Sequence, residues 1–383
     1  MNKLKTIYYW APFIDRVATI KAVYNSVNSL NRYSSKMHNA KIIDTFGEWE
    51  FNNYFNQNKS FFFSLTKLNF LNKFSSLGFI KSRIKYILIF LLCFFPLKKF
   101  IKTTKPDFII IHLVTSLPLF LNLIYKSKTK FILRISGKPK LNFIRYFFWK
   151  ITLKGVYKIT FPTKETLEYF KTLKIADQTK FELLYDPVLS LNKIIEQKNE
   201  CLDEKILQND DFYLAIGRLT KQKNFSFLIE CFKEILQQTH DIKLVIVGSG
   251  ENKDNLELLI NRYNLKNKIY LVGYKHNVFK YFKRSKAFIL PSLWEDPGFV
   301  LIEAMLSNTL VISSDCPSGP KEILENNRGI LFKNNDKSDF IEKFNLLTSL
   351  NNKQKLKKKK LAKKFVKRFT LLSHHNKLIN LFN

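Results

Sequence analysis

The chain has 383 residues, of which 46% are hydrophobic and 15% aromatic, and its formal net charge is +33. This length can hold two domains of ordinary size, each with its own core, and this apolar content excludes a largely disordered chain. The four cysteines form no close pair and have no metal-ligand spacing, which argues against a disulfide framework or a zinc site and favours a reducing cytoplasm.

The positive charge is concentrated in the first half of the chain. Residues 51–164 hold 21 Lys and Arg against one acid, whereas residues 201–350 hold 20 basic and 19 acidic residues. A uniform coding bias would not divide the chain in this way, so the first half is predicted to face an anionic surface. Aromatic residues alternate with these cations, a pattern that suits nucleic acid or an anionic membrane leaflet.

An uncharged run at residues 86–97 favours the membrane. Three lysines follow it, Lys98, Lys99 and Lys102, but the run is shorter than the roughly 20 residues that span a bilayer. It is therefore a buried core helix, an interfacial segment or, in third place, a spanning helix. We expect peripheral attachment to the membrane.

Strand-like apolar runs recur through the first half. They lie at residues 6–10, 41–44, 108–111 and 159–162, with a helical pattern at residues 20–30. Residues 183–188 predict the closing strand of this half and the turn into the linker. The first run is too short for a signal peptide and predicts a strand. Polar residues at the carboxyl ends of buried parallel strands tend to face the ligand crevice. His112, which follows one of these strands, is therefore a candidate site residue, and a structural histidine bonded to a loop carbonyl is the alternative.

Two loops of the first half carry further candidate binding residues. Asp15 and Arg16 follow the first strand. Ser136, Gly137 and Lys138 follow another strand, in a loop suited to a phosphate or a sugar hydroxyl.

The second half predicts a second α/β domain. A polar, charged segment at residues 189–211 is predicted to connect the domains. Strands are predicted at residues 212–216, 244–247, 269–272, 287–290, 310–312 and 329–332, and helices at residues 225–236, 299–306 and 336–347. The strands on either side of helix 299–306 fit a βαβ unit, whose two loops lie at one edge of a parallel sheet.

Residues 351–369 predict an amphipathic basic helix, because they hold ten basic residues and no acid. Such a helix either lies on a membrane or crosses back to the first domain. We favour the crossing helix.

The loop after strand 212–216 has the composition of a diphosphate site. Gly217 allows a tight turn, and Arg218 and Lys223 bracket the loop. A guanidinium grips two phosphate oxygens as a fork, while an ammonium acts as a point charge. A solvated basic turn is the alternative. Gly248 and Gly250, after the next strand, are a weak signal alone because the third glycine of a dinucleotide fingerprint is absent.

Two carboxylates mark the βαβ unit. Glu295 precedes its helix and Glu303 lies within it, eight residues later. The first amides of this helix, at Gly298, Phe299 and Val300, are available to an anion. The alternative is an acid at a helix start and a solvated Glu.

The sequence EDPGFVLIEA resembles the Glu-x7-Glu signature of retaining family-4 glycosyltransferases of the GT-B fold. In that family the first Glu holds donor-sugar hydroxyls, the second holds the nucleotide ribose, and the amides between them hold the diphosphate. By this resemblance Glu295, Glu303 and the amides at 298–300 bind the donor. The family also has a Gly-Arg and Lys diphosphate clamp, which matches Gly217, Arg218 and Lys223.

Weaker parts of the resemblance extend to other loops. KPDFIIIH is similar to the family segment in which a His contacts the donor sugar, here His112, and Gly273 with Tyr274 resembles the segment that reads the base. The loop at residues 11–15 lacks the glycines that are usual in the family, which leaves the role of Asp15 and Arg16 open between donor and acceptor. Asn308 and Leu310 replace a usual Gly and Pro, and we expect these departures to affect packing more than chemistry.

The resemblance covers nearly the whole chain and implies a GT-B architecture, with two Rossmann-like α/β domains facing a cleft. Residues 1–190 would form a basic, membrane-facing domain that binds the acceptor, with Asp15, Arg16, Ser136, Gly137 and Lys138 as candidates. Residues 205–350 would bind the nucleotide sugar, with Gly248 and Tyr274 among the contacts. Residues 351–383 would form a basic helical tail that returns towards the first domain.

The implied reaction is the retaining transfer of a hexose or N-acetylhexosamine. The donor would be UDP-linked, and the acceptor a lipid-linked saccharide or lipopolysaccharide precursor at the inner membrane face, which the protein would bind peripherally from the cytoplasm. Arg218, Lys223, Glu295 and His112 are the expected catalytic residues. No residue stands out as a nucleophile, which favours front-face attack, and the lack of a DxD-type acidic pair beside the cleft favours a mechanism without a metal or other cofactor.

Two alternatives remain open from the sequence. A nucleic-acid-binding protein would account for the charge and the aromatic residues, but not for residues 217–223 and 295–303, so nucleic acid is not the expected partner. A GT-B epimerase acting on a nucleotide sugar would turn over its donor with no acceptor present.

Overall fold

A computed structural model describes residues 4–13, 19–50, 53–73, 79–139, 141–189, 191–204, 211–239, 242–295 and 297–383. The chain divides into two compact units. Unit 1 comprises Met1–Val188 and Leu371–Asn383, and unit 2 comprises Leu189–Thr370. Both are built on parallel sheets, which confirms the prediction of two Rossmann-like α/β domains.

Unit 1 contains a seven-stranded parallel sheet with the strand order β3-β2-β1-β4-β5-β6-β7. Its strands are β1 (Lys5–Trp10), β2 (His38–Asp44), β3 (Phe62–Ser64), β4 (Phe108–Ile111), β5 (Lys130–Arg134), β6 (Lys158–Phe161) and β7 (Phe181–Leu183). Strand β7 ends at Leu183, and the rest of the segment 183–188, predicted as the closing strand and the turn into the linker, has no regular secondary structure. The reason lies in Asp186, which turns its carboxylate to Arg134, and in Pro187, which cannot donate a ladder hydrogen bond.

Helices cover both faces of this sheet. They are α1 (Thr19–Tyr33), α2 (Asn53–Gln57), α3 (Phe70–Lys73), α4 (Phe79–Thr104), α5 (Ser116–Ile124), α6 (Phe143–Thr152) and α7 (Lys164–Thr172). Because side chains alternate along a strand, Tyr8 and Trp10 of β1 pack in one cluster with α4, α5, α6 and α7, while Ile7 and Tyr9 pack in another with α1.

The apolar run at residues 86–97 lies inside α4. One face of α4 enters the core through Ile89, Cys93, Leu97 and Phe100, while other apolar side chains of this helix are exposed. Among the helices of the described residues, none is both long and apolar enough to cross a membrane. The run is therefore part of a helix that packs against the core with one face and exposes apolar side chains on another.

Unit 2 contains a six-stranded parallel sheet with the order β10-β9-β8-β11-β12-β13. Its strands are β8 (Phe212–Ile216), β9 (Lys243–Val247), β10 (Ile269–Leu271), β11 (Ser285–Leu290), β12 (Leu310–Ser314) and β13 (Ile330–Phe332). The chain order reverses between β8 and β11. Ligands of open α/β sheets bind outside the carboxyl ends of the strands at such a reversal, so the loops after β8 and β11 are where a site is expected.

The helices of unit 2 begin before its first strand. They are α8 (Leu191–Lys198), α9 (Phe225–Gln238), α10 (Lys253–Arg262), α11 (Phe279–Arg284), α12 (Phe299–Leu306), α13 (Pro320–Leu324), α14 (Lys337–Ser349) and α15 (Asn352–Val366). Helix α8 lies in the segment predicted as an interdomain connection. It packs against α11 and buries Ile194, so this part of the polar segment belongs to unit 2.

The predicted basic helix at residues 351–369 corresponds to α15. Its start is held by a capping box, in which Asn351 and Gln354 exchange hydrogen bonds between side chain and backbone. Phe365 and Val366 are buried, and the Arg328 guanidinium stacks 4.0 Å from the centre of the Phe365 ring. Helix α16 (Leu371–Leu378) then belongs to unit 1, where it packs against α1.

Candidate functional site

The loops at the carboxyl edge of the unit 2 sheet are tied together through their backbones. The amide of Gly217 donates to the carbonyl of Val247 at 3.0 Å, and the amide of Leu219 donates to that of Ser249 at 2.9 Å. A Cβ on Gly248 would lie 1.8 Å from the carbonyl oxygen of Gly217. Glycine at position 248 is therefore required by the close approach of two loops.

A buried ion pair lies within these loops. Glu295 follows β11 and is only 6% exposed, and its Oε1 accepts hydrogen bonds from Lys223 Nζ and, at 2.6 Å, from Ser292 Oγ. The aliphatic part of Lys223 packs over Gly217, where a Cβ would lie 3.0 Å from the lysine Cδ. The sequence predicted Lys223 and Glu295 as separate contacts to the donor, and the structure joins them.

Gln222 connects the loop after β8 to the loop after β11. Its carbonyl accepts from the amide of Leu293 at 2.9 Å, and its side-chain Nε2 donates to the carbonyl of Trp294 at 2.9 Å. Arg218 is exposed, and its Nη2 lies 3.4 Å from Gln222 Oε1. These hydrogen bonds join the two loops, and the Arg218 guanidinium lies at their surface.

The start of α12 lies beside Glu295. Gly298 has φ +86°, a left-handed conformation that favours glycine, and a Cβ there would be 3.5 Å from Glu295 Cγ. The first amides of the helix, those of Phe299 and Val300, have no acceptor within the helix. Glu303 lies about one turn further along and is half-buried.

Gly319 fixes the next loop against this helix start. A Cβ on Gly319 would lie 2.2 Å from the carbonyl oxygen of Pro297, and Ser314 Oγ donates to the carbonyl of Ser292 at 2.5 Å. The amide of Glu295 also donates to the carbonyl of Pro317, at 3.0 Å. The loops after β11 and β12 therefore hold each other in place.

The predicted base-reading segment lies at the same edge. The carbonyl of Gly273 accepts from the amide of Gly248 at 2.9 Å, and Tyr274 is 63% exposed. The structure thus brings the predicted donor-binding residues of unit 2 to the loops of one sheet edge.

His112 lies in unit 1, directly after β4. It is 7% exposed, and its Nδ1 has no hydrogen-bond partner among the described residues. Burial lowers the pKa of His112 well below its ordinary value, and the charges of Arg134 and His374 add to this effect. The imidazole is therefore neutral at physiological pH. Ser136 accepts from Arg134 Nη1 at 2.5 Å, and Arg134 forms a buried ion pair with Asp186.

A pocket of about 800 Å³ opens beside His112 within unit 1. Its lining includes residues of α4, of the loop after β5 and of α6: Arg83, Tyr86, Ser136, Arg145 and Trp149. Of the other predicted acceptor residues, Gly137 has φ +57° and Lys138 pairs with Glu165 at 2.6 Å, while Asp15 and Arg16 lie outside the described residues.

Sequence reasoning missed several of these partners. Ser292 was not predicted as a site residue, although it lies two residues after the end of β11 and so in the loop at the carboxyl edge of the sheet. Asp186, Arg83 and Arg145 were also missed, because nothing in the local sequence places them near His112.

Part of the chain matches a known family. Residues 197–368 match the family model described as glycosyl transferases group 1. An uncharacterized glycosyltransferase of Methanocaldococcus jannaschii is 37% identical over 251 residues, which is 60% of this chain and 61% of that protein. The N-acetylgalactosamine-N,N'-diacetylbacillosaminyl-diphospho-undecaprenol 4-alpha-N-acetylgalactosaminyltransferase of Campylobacter jejuni is 28% identical over 207 residues, which is 52% of this chain and 54% of that protein. The matches thus span little more than half of each relative.

The fold is similar to that of solved structures over the full chain. A mutant of TarM from Staphylococcus aureus, solved in complex with fondaparinux, alpha-GlcNAc-glycerol and UDP, superposes with a TM-score of 0.74. That match covers 99% of this chain and 100% of TarM at 16% identity. The chain therefore has the GT-B fold, and its residues 197–368 are similar to the group 1 glycosyl transferases.

Proposed function

We propose that the chain is a retaining glycosyltransferase that moves a hexose or N-acetylhexosamine from a UDP-linked donor. The acceptor is a lipid-linked saccharide or lipopolysaccharide precursor at the inner face of the cell membrane, which the protein binds peripherally from the cytoplasmic side. The Campylobacter relative, whose name gives a diphospho-undecaprenol-linked acceptor, supports this acceptor class.

One observation carries the proposal. At the carboxyl edge of the unit 2 sheet, an exposed guanidinium, a buried Lys–Glu pair and a helix start belong to hydrogen-bonded neighbouring loops. A nucleoside diphosphate sugar needs cations and amides for its phosphates and carboxylates for its hydroxyls. Both kinds of group are supplied here.

The donor contacts of this proposal follow the family resemblance, and the position of these residues at one sheet edge supports them. Arg218 and the first amides of α12 bind the diphosphate, Glu303 binds the ribose and Tyr274 lies against the base. Among the described residues, both side-chain hydrogen bonds of Glu295 are accepted by Oε1, which leaves Oε2 to accept a hydrogen bond from a hydroxyl of the sugar. Lys223 and Ser292 hold this carboxylate in one orientation.

The reaction follows a front-face course. The bond between the anomeric carbon and the β-phosphate oxygen breaks, and its electron pair stays on that oxygen. The acceptor hydroxyl oxygen forms the new bond on the same face, and its proton passes to the leaving phosphate. Arg218 and the α12 amides stabilise the negative charge that grows on the leaving group.

Unit 1 supplies the acceptor side of this proposal. The pocket between α4 and α6, with Ser136 on its wall, holds the acceptor, and neutral His112 contributes a hydrogen bond at its edge rather than a charge. Gly137 and Lys138 lie in the same loop, after β5.

Calorimetric titration with UDP and GDP tests the donor site. We expect UDP to bind, and Arg218→Ala to weaken binding about ten- to a hundredfold, because a charge-assisted hydrogen bond contributes roughly 1.5 to 3 kcal/mol. The matched control is Arg262→Ala, which removes an exposed arginine from α10 and should leave the affinity unchanged. Equal affinities in both variants would reject the assigned site.

The stereochemical outcome is tested on the product. With UDP-sugars as donors and polyprenyl-linked saccharides as acceptors, proton NMR of the new linkage should show the anomeric configuration of the donor. An inverted product would contradict the front-face course, and donor turnover with no acceptor present would favour the epimerase.

A further inference from the structure

Three neighbouring helices of unit 1 expose an unusual number of large apolar side chains. Half of the exposed large hydrophobic residues in the described chain lie on α4, α5 and α6: Ile84, Ile87, Leu91, Leu92, Phe95, Leu123, Ile124, Phe143, Ile144, Phe147 and Ile151. We call this set the α4–α6 apolar surface. Phe95 is 74% exposed, and Phe143 and Ile144 are each 78% exposed.

These side chains lie on the outer side of a single helix layer. Helix α5 contacts both α4 and α6, and all three turn other residues inwards, such as Cys93, Leu119 and Trp149, to one core cluster on the sheet. On α4 the exposed residues recur at positions 84, 87, 91 and 95, the spacing of one helical face. The α4–α6 apolar surface is therefore not part of the core, and the packing of unit 1 does not bury it.

The charge around this surface has one sign. Residues 79–154 contain 16 Lys and Arg and one acid, Asp107, whose carboxylate accepts from the amide of Thr6 at 2.7 Å. Exposed cations lie on the same helices, in the loops between them or in the turn after α6: Lys81, Arg83, Lys99, Lys102, Lys126, Lys128, Lys150 and Lys154. The partner must accept apolar side chains and supply negative charge.

We propose that the α4–α6 apolar surface docks unit 1 on an anionic lipid bilayer. Aliphatic and phenylalanine side chains enter the interface, while the surrounding lysines and arginines contact lipid phosphates. The inference extends the proposed function and rests on it for the choice of the bilayer that carries the acceptor.

Other partners fit the surface less well. Nucleic acid recognition uses aromatic rings for stacking, whereas eight of the eleven side chains are Ile or Leu. A second copy of the chain would bring two basic surfaces together, which costs free energy through like-charge repulsion. A bilayer with anionic lipid provides both an apolar layer and phosphate groups.

The place of the acceptor pocket agrees with this orientation. Tyr86 of α4 and Ile144 of α6 line the pocket beside Arg83 and Arg145, and Ile144 is also part of the apolar surface. Docking through these helices would therefore bring the lining of the pocket close to the membrane surface.

Vesicle flotation of the full chain tests the inference. The vesicles contain either phosphatidylglycerol with phosphatidylcholine or phosphatidylcholine alone, at low and high salt. The wild type should bind the anionic vesicles, and less at high salt. We expect Phe95→Glu/Ile144→Glu to lower the partition coefficient about tenfold or more, because two large apolar side chains no longer enter the interface.

The matched control places the same charges elsewhere. Leu258→Glu/Leu346→Glu changes two exposed leucines of unit 2 and lowers the net charge equally, so its partition coefficient should stay within about twofold of the wild type. Equal losses in the two variants would mean that net charge alone drives binding and would overturn the inference. Lys99→Gln/Lys102→Gln should weaken binding to anionic vesicles only.

Two further readouts separate this inference from other outcomes. If light scattering shows that the wild type self-associates and Phe95→Glu/Ile144→Glu is monomeric with unchanged vesicle binding, the surface is an interface between copies and the inference fails. It fails equally if this variant loses RNA binding instead of vesicle binding. UDP affinity measured by calorimetry should be the same in all variants, so a protein that binds UDP but no vesicles refutes the docking surface and leaves the donor site standing.

Discussion

The Glu295 carboxylate depends on side chains that are distant in sequence. Lys223 precedes it by 72 positions, whereas Ser292 precedes it by three. Removing one partner of a buried ion pair leaves the other charge without compensation, which costs more than the pair itself contributes.

Glu295→Gln should therefore destabilise the protein. The substitution keeps the shape of the side chain but leaves the Lys223 ammonium without its counter-charge, and we expect a loss of about 3 kcal/mol in urea denaturation followed by circular dichroism. Lys223→Met in the same chain should recover part of this loss, because the uncompensated charge is then gone.

A surface pair provides the control for this prediction. On α10, Lys253 Nζ lies 3.3 Å from Glu257 Oε1, and both side chains are about half exposed. Such pairs contribute roughly 0.3 to 0.5 kcal/mol to stability. If Glu257→Gln and Glu295→Gln cost the same free energy, the pair at the sheet edge has no special role in stability.

At the residue scale the sequence named candidate residues but not their contacts. Arg218, Lys223, Glu295 and Glu303 could be named from their residue types and from the resemblance to a known family, and their roles in binding stay predictions. The pairing of Lys223 with Glu295 could not be named, because it depends on how loops from two different strands meet.

The loops of unit 2 are held together by glycines whose side-chain position is filled by a neighbouring backbone. Gly248 and Gly273 form a matched pair for testing this. A Cβ at 248 would collide with the carbonyl of Gly217, whereas at 273 nothing lies within 4 Å and only the positive φ of +73° opposes a side chain.

We expect Gly273→Ala to cost about 1 to 2 kcal/mol, the penalty of a left-handed backbone. Gly248→Ala should cost clearly more, because the loop after β8 must also move. Urea denaturation gives both values, and UDP titration should show a weaker site in Gly248→Ala because Gly217 and Arg218 shift with the loop. Equal stabilities would mean that the loops can separate freely.

Secondary structure was predicted well where an apolar period was clear. Helix α12 lies at the predicted residues 299–306, and every predicted strand of unit 2 has a counterpart within two residues at either end. Helix α8 was missed because its sequence is mostly polar and it buries Ile194 on one side only. Such one-sided burial depends on α11, which the local sequence does not reveal.

At the scale of the whole molecule, the sequence could not show which side of α4 would face outwards. Apolar residues occur on both sides of this helix, so its periodicity does not separate core positions such as Ile89 from exposed ones such as Phe95. Which side of α4 is buried depends on how α5 and the sheet pack against it, and the local sequence does not show this.

The stability of unit 1 should depend on pH through His374. This residue of α16 lies between Ser26 and the carbonyl of Tyr185, both 2.8 Å from a ring nitrogen, and burial lowers its pKa from 6.5 to about 4. Because the unfolded chain takes up a proton below pH 6.5 and the folded one does not, stability is full above that pH. It is lost as the pH falls towards 4, by about 3 kcal/mol.

The pH effect is measured as a difference between two chains. Burial and the neighbouring Asp44 raise the pKa of Glu48 well above its ordinary value. This raised pKa changes stability with pH in the opposite direction from His374. Wild type and His374→Gln must therefore be compared at each pH. Three of the four tryptophans lie in unit 1, and a Trp294→Phe background lets fluorescence follow this unit. Parallel curves for the two chains between pH 7 and 4 would contradict the assignment.

The segment Leu371–Asn383 also determines when unit 1 can be completed during synthesis. Leu378, Leu381 and Phe382 fill one core cluster of the first sheet, yet the ribosome makes them only after the whole of Leu189–Thr370. At roughly 5 to 20 residues per second, the face of the sheet that carries Ile7 and Tyr9 lacks these side chains for about 10 to 40 s. A nascent unit 1 therefore exposes apolar surface until unit 2 has been made, and such surface favours aggregation and chaperone binding.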